Sequence, residues 1–198
     1  SAYYTFSTSN TSYIFIGFIG GLILAIVTIF KKQWSPLTVP IYAVCEGLAL
    51  GGISAIYESM YTGIVQQAVF LTFGIFAALL FAYKTKIIKA TENFKLGVFA
   101  ATGGIAIVYL ISFIMSFFGS GLPIMNIQNS SMISIAFSVF VVIIASLNLV
   151  LDFDFIEEAS ESQVPKYMEW YATFGLLITL IWLYLEILRL LAKLQSRR

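Results

Sequence analysis

Ionisable side chains inside long apolar runs are the residues of this sequence best suited to do chemistry. Glu46 lies in the middle of one run, and Glu186 lies in the last one. A carboxylate at the centre of a bilayer costs at least about 2.5–3.5 kcal/mol, so acids kept there usually bind an ion, carry a proton or join helices. Glu46 has no basic residue nearby in sequence and is either an ion or proton site or a packing residue. Glu186 and Arg189 share a helical face and could pair.

A second group of oxygen-bearing side chains follows the next-to-last apolar run. Asn148 and Asp152 are one helical turn apart, and Asp154 comes two residues later. Hard cations such as calcium prefer oxygen ligands, although the segment lacks the turn glycine of an EF-hand loop. Asp152 and Asp154 are therefore either cation ligands or structural residues at the end of a run. The glutamates of 157–161 are expected to lie in a solvated acidic loop.

The composition indicates a membrane protein. Of the 198 residues, 60% are apolar and 11% are charged, against about 45–50% and about 25% in a soluble domain. The runs predict an all-α polytopic membrane helix bundle that forms a single transmembrane domain over 1–198, because barrel strands would be only about ten residues long. The six predicted spans are approximately 13–30, 40–56, 63–83, 96–118, 132–151 and 168–194.

The charges and the missing histidine exclude several function classes. Eleven basic and ten acidic residues give a net charge of +1, so there is no basic field for nucleic acid. Without histidine, serine or cysteine triads and zinc sites of the HExxH kind lack a central residue. The single cysteine, Cys45, cannot form an internal disulfide. We expect no enzyme activity and no cofactor, and the lipid bilayer is the expected surrounding.

The lysines of the short loops predict the orientation, because cytoplasmic loops are enriched in basic residues. The connections 57–62 and 119–131 contain none and are expected outside, together with the N-terminus. The predicted cytoplasmic loops are 31–39, 84–95 and 152–167. The last helix then runs outward and places Lys193 in a basic tail beyond the membrane. Because Ser1 is not an initiator methionine and the visible chain begins outside, we expect one further span upstream.

Small residues recur every four positions along the second predicted span. They are Ala43, Gly47, Gly51 and Ala55. Such a row forms a smooth ridge on which another helix can approach closely. Because Glu46 lies on the same helix, close packing at the ridge would hold this acid inside the bundle.

Three segments together resemble the Bax inhibitor-1, or transmembrane Bax inhibitor motif, family and in particular its bacterial YccA-like branch. EGLALG at 46–51 is similar to the family's EGLxLG helix, NLVLD at 148–152 to the end of its penultimate helix, and LYLEILRLL at 183–191 to its last helix. The resemblance covers about residues 40–194. It implies a seven-helix bundle with the last helix at the centre, located in the bacterial inner membrane.

The resemblance also implies a function, a pH-sensitive calcium leak channel. In the family, two acids share a proton, and the matching residues in this sequence are Asp152 and Glu186. Asp154 is an alternative partner of Glu186. The ion conducted or bound at these acids would be calcium. Two carboxylates held close cannot both ionise cheaply, so a shared proton would close the path and deprotonation would open it. The family usually has aspartate where Glu186 stands, and Arg189 could neutralise this acid.

Two other functions remain open at this point. Some bacterial relatives interact with the membrane protease FtsH, so the chain could be a membrane-embedded regulator of such a protease without conduction. A proton-coupled transporter is the third interpretation. In both cases the partners would be neighbouring membrane proteins or would bind the short loops, because the sequence contains no long hydrophilic domain.

Overall fold

In a computed structural model of the chain, the described residues are 2, 6, 12–118, 131–162 and 164–197. These residues form six α-helices joined by short connections, with a 3-10 turn at Lys32–Trp34. The helices are α1 Ser12–Phe30, α2 Ser35–Met60, α3 Ile64–Lys84, α4 Glu92–Phe117, α5 Met132–Glu161 and α6 Tyr167–Gln195. Within the described ranges there is no β-strand, so the prediction of an all-α fold is confirmed.

Helices α2 to α6 are long and apolar enough to cross a membrane, as the composition predicts. The apolar part of α1, Ile14–Phe30, is shorter than that of the other five. The chain is therefore an integral membrane protein with a polytopic helix bundle. Its orientation stays a prediction, and most of the predicted external segments 1–12 and 119–131 lie outside the described residues.

Two helices extend five or more residues beyond the predicted spans. Helix α2 begins at Ser35, five residues before the predicted start at Pro40, because Pro36 occupies the first turn, where the missing N–H of proline does no harm. Helix α5 continues to Glu161, ten residues beyond Leu151. No glycine or proline interrupts it there, so the first ten residues of the predicted loop 152–167 are helical, and the glutamates of 157–161 are exposed on a helix.

The chain divides into two compact units. The first comprises Ser1–Val65 and Phe155–Ile178, and the second comprises Gln66–Asp154 and Thr179–Arg198. Helices α5 and α6 each contribute one part to both units. The prediction of a single transmembrane domain over 1–198 stays a prediction.

In the first unit, the glycines of α1 let it approach α2 at backbone distance. A Cβ atom at Gly17 would lie 2.5 Å from the carbonyl oxygen of Cys45 and 2.6 Å from the amide nitrogen of Ala49. A Cβ at Gly21 would lie 2.6 Å from Oε1 of Glu46. The backbone contacts of Gly17 leave no room for a side chain, so this glycine sets the separation of the two helices, whereas the Glu46 side chain beside Gly21 can move.

The small-residue ridge lies on a different face of α2 from this contact. At about 100° per residue, Ala43, Gly47, Gly51 and Ala55 fall on the side away from Cys45 and Ala49. Gly51 is buried, whereas Ala43 is exposed. The packing role of these four residues stays a prediction.

In the second unit, helices α4, α5 and α6 pack through an apolar cluster. Its buried members are Ile105, Val141 and Ile144. Partly buried neighbours from all three helices surround them: Ala101, Tyr109, Phe137, Leu147 and Trp182. This cluster fixes the three helices that carry the polar residues described below.

We expect Gly17→Ala to destabilise the protein by about 1–3 kcal/mol, because the new methyl group meets backbone atoms that cannot move aside. Gly74→Ala is the matched control: it is also helical but has no atom within 4 Å of its Cβ position. It should keep or raise stability, since alanine favours helix. Thermal unfolding in detergent compares the two variants, and equal stabilities would contradict the close approach.

Candidate functional site

Glu186 lies at the centre of a buried hydrogen-bonded group in the second unit. The residue is 2% exposed. The hydroxyl of Tyr109, on α4, donates to its Oε1 at 2.6 Å, and Nη1 of Arg189 donates to Oε1 at 2.8 Å and to Oε2 at 3.1 Å. Nη1 also donates to the Tyr109 oxygen at 2.7 Å. The predicted pairing of Glu186 with Arg189 is therefore confirmed, and these charge-assisted bonds compensate the buried carboxylate.

Asp152 is less completely compensated. The hydroxyl of Thr179, on α6, hydrogen-bonds to its carboxylate. Its Oδ2 atom is buried and has no hydrogen-bond partner within the described part of the chain. Leaving a buried acceptor unpaired is costly, and more so when the group is charged. The packing of α5 against α6 thus holds the Asp152 carboxyl at an energetic cost.

Thr179, the partner of Asp152, lies on the same face of α6 as Glu186. Thr179 and Glu186 are seven residues apart, which is two helical turns or about 10 Å along the axis. In this conformation Asp152 bonds to Thr179, and Glu186 bonds to Tyr109 and Arg189. The sharing of one proton between Asp152 and Glu186 stays a prediction.

Asp154 has different partners from Asp152. Its Oδ2 atom forms an ion pair with Nζ of Lys95, on α4, at 2.7 Å. The hydroxyl of Tyr83, on α3, donates to Oδ1 at 3.3 Å. Asp154 therefore joins three helices at one end of the unit, and its charge is neutralised there.

Asn148 joins α5 to α4. Its Nδ2 group donates to Oγ1 of Thr102 at 2.8 Å and to the carbonyl oxygen of Ile144 at 2.8 Å. The predicted oxygen-bearing face of Asn148 and Asp152 is therefore turned toward neighbouring helices, with Thr102 and Thr179 as its respective partners.

The predicted position of Lys193 in an exposed basic tail is wrong. The residue is fully buried, and its ammonium group donates to Oγ of Ser138 at 2.9 Å and to the carbonyl oxygen of Ser134 at 3.3 Å. The reason is that Lys193 repeats the helical face of Glu186 seven residues earlier, and its head group on this face reaches α5. The spacing of 186, 189 and 193 is the signal that the sequence offers.

Polar side chains form a row along α5, which we call the polar row: Ser134, Ser138, Asn148 and Asp152. At about 100° per residue they lie on one helical face, and they extend over about 27 Å, close to the thickness of a bilayer core. Asn148 bonds to α4, and the other three residues bond to α6, all within the second unit.

Glu186 lies level with the middle of the polar row. Asp152 bonds to Thr179, and Ser138 bonds to Lys193. Both contacts fit the same antiparallel register of α5 and α6, and this register places Glu186 opposite Ala145. Ala145 is fully buried and small, so it leaves space for the carboxylate at the gap between Ser138 and Asn148.

Glu46 belongs to the first unit. Its carboxylate hydrogen-bonds to the hydroxyl of Tyr42 and lies against Gly21 of α1. The ring of Tyr42 packs edge-on against Phe174 at 5.0 Å between centroids. These contacts fit either interpretation of Glu46, as an ion site or as a packing residue.

Within the described ranges, no three or more histidine, cysteine, aspartate or glutamate side chains group together as metal ligands. Binding of calcium by Asp152 and Glu186 stays a prediction. A calcium ion would need six to eight oxygen ligands, so carbonyls, hydroxyls or water would have to complete any site at these acids.

Comparison with protein families decides the relationship that the three segments indicate. A family model described as Bax inhibitor 1 like matches residues 1–196. The chain belongs to this family. Membership in the Bax inhibitor 1 like family thus extends over all six helices and not only over residues 40–194, while the assignment to a bacterial branch stays a prediction. Searches of the curated proteins and of the solved structures gave no match.

We expect Arg189→Met to destabilise the protein by about 3–5 kcal/mol, because it leaves the buried Glu186 carboxylate without its cation. Adding Glu186→Gln should recover most of this loss, since a neutral amide needs no counter-charge. Chemical unfolding in detergent measures both effects, with the exposed Lys89→Met as the control. Additive losses in the double variant would contradict the pairing.

Proposed function

We propose that this chain is a pH-sensitive cation leak of the bacterial inner membrane that conducts calcium and is gated by Asp152 and Glu186. The observation that carries the proposal is the polar row, which extends over about 27 Å of α5 and contains a buried carboxylate oxygen without a partner. Polar groups placed at such depth in a bilayer usually mark an ion or proton pathway.

The described conformation is consistent with the closed state. Beside the polar row, the side chains of Val141, Ala145 and Leu149 are fully buried. Glu186 is held at the middle of the row by Arg189 and Tyr109, which occupy the carboxylate oxygens that a passing cation would use.

Protonation of the acids favours this closed state. A neutral Asp152 carboxyl can remain buried beside Thr179 at little cost, whereas an ionised one leaves a charged, unpaired oxygen in an apolar interior. Ionisation therefore favours separation of α5 from α6 and entry of a cation that neutralises the acid. The flux is present at high pH and is lost as the pH falls.

Arg189 competes with cations for the carboxylate of Glu186. A cation can bind the Glu186 carboxylate only after the guanidinium moves away, because both compete for the same two oxygens. The arginine thus suppresses the leak until Asp152 ionises. The two acids act in series along one path, with Asp152 as the pH-sensitive group and Glu186 as the cation-binding group.

Calcium entry into indicator-loaded liposomes at about pH 6 and about pH 8 tests the proposal. The native protein should conduct more at the higher pH, because more of its acids are ionised. Asp152→Asn combined with Glu186→Gln should remove the pH dependence. Glu161→Gln changes an exposed acid of the same helix and should behave like the native protein.

Asp154→Asn separates the two candidate aspartates. Asp154 is neutralised by Lys95, so its replacement should leave the pH dependence in place. Loss of the pH dependence in this variant alone would move the gate from Asp152 to Asp154. Folded native protein that conducts no more than protein-free liposomes would overturn the leak, and regulation of an FtsH-type protease would then be measured by proteolysis in the same vesicles.

A further inference from the structure

The side chain of Lys193 is buried, although the residue lies close to the end of α6. It lies two residues before the end of α6 at Gln195, and lysines near helix ends usually extend their ammonium group to the aqueous boundary. Here the residue is fully buried and its head group points to α5. The interior must therefore offer the cation a favourable site.

The atoms that receive the ammonium group are those that bind metal cations. Its hydrogen-bond acceptors on α5 are Oγ of Ser138 at 2.9 Å and the carbonyl oxygen of Ser134 at 3.3 Å. Both serines are only 1% exposed. Hydroxyl and carbonyl oxygens are ligands for hard cations, at distances of about 2.3–2.6 Å for calcium.

Two charged residues, Glu186 and Arg189, lie near Lys193 on α6. Glu186, two turns earlier on α6, is already bonded to Arg189 and to Tyr109. Arg189, one turn away on the same helix, disfavours a second cation nearby. The two buried oxygens of Ser134 and Ser138 nevertheless receive the Lys193 head group.

We propose that Ser134 and Ser138 form a cation site at one end of the polar row, and that the Lys193 ammonium fills it as a tethered cation. The chemical class of ligand is a small hard metal cation, such as sodium or calcium, with water as its remaining ligands. In the native chain the tether excludes free cations from this end of the row. The proposal concerns binding and holds whether or not the protein conducts.

Thermal unfolding of Lys193→Ala tests the proposal, with sodium, calcium or choline chloride added at equal ionic strength. The vacated site should bind sodium or calcium, so the unfolding temperature should rise with the concentration of one of them and reach a plateau. Choline is too large to enter and should have no such effect. Native protein should show no saturable response, because its site is already filled.

Ser138→Ala added to Lys193→Ala identifies the site. The saturable response should disappear in this double variant, since one of the two oxygens is gone. Lys89→Ala removes an exposed lysine and should respond like the native protein. A folded Lys193→Ala without a saturable response, or a response that survives Ser138→Ala, would overturn the proposal.

Loss of folding in Lys193→Ala is also decisive. If the site takes free cations, then sodium, calcium or ethylammonium, which reproduces the end of the lysine side chain, should restore the fold when choline does not. Failure of all three to restore it would overturn the proposal. None of these outcomes depends on calcium flux, so they are distinguishable from failure of the proposed leak.

Discussion

The bond between Glu186 and Arg189 is the interaction on which the polar interior of the second unit depends. A carboxylate buried to 2% exposure in an apolar helix bundle needs a nearby cation, and Arg189 supplies it from the next turn of the same helix. Tyr109 completes the group from α4, so the need to satisfy one acid also joins two helices. The pair therefore has a structural role, and in the proposed leak the same guanidinium occupies the oxygens that a cation would use.

Around this pair, the second unit alternates apolar packing with polar contacts along α5. The cluster of Ile105, Val141 and Ile144 holds α4 and α5 together. On either side of it along the helix, Ser138 receives Lys193 and Asn148 binds Thr102. Replacing buried charged pairs by apolar residues is often neutral or stabilising, so the retained polar row fits the proposed role in moving or binding charge.

The sequence predicts the helices and the Glu186–Arg189 pair better than the contacts between helices. Continuous apolar runs specify spans, and the spacing of Glu186 and Arg189 depends only on helical geometry, so both could be read directly. The partners Tyr109 and Thr179 depend on how α4 and α6 align with α5, which periodicity does not determine. The charges alone predict a basic tail at Lys193, whereas the helical face that it shares with Glu186 brings its head group to α5. Hydrophobicity ends at Leu151 but helix propensity continues, so α5 is longer than its apolar run.

The most direct measurement of the gating account is the infrared absorption of protonated carboxyl groups in the protein in lipid nanodiscs, recorded across the pH range in which flux changes. The account predicts a carboxyl C=O band that belongs to Asp152, is lost as the pH rises over that range, and is missing from Asp152→Asn. A band that follows the flux but persists in Asp152→Asn, or no band that changes with pH in that range, would contradict the account.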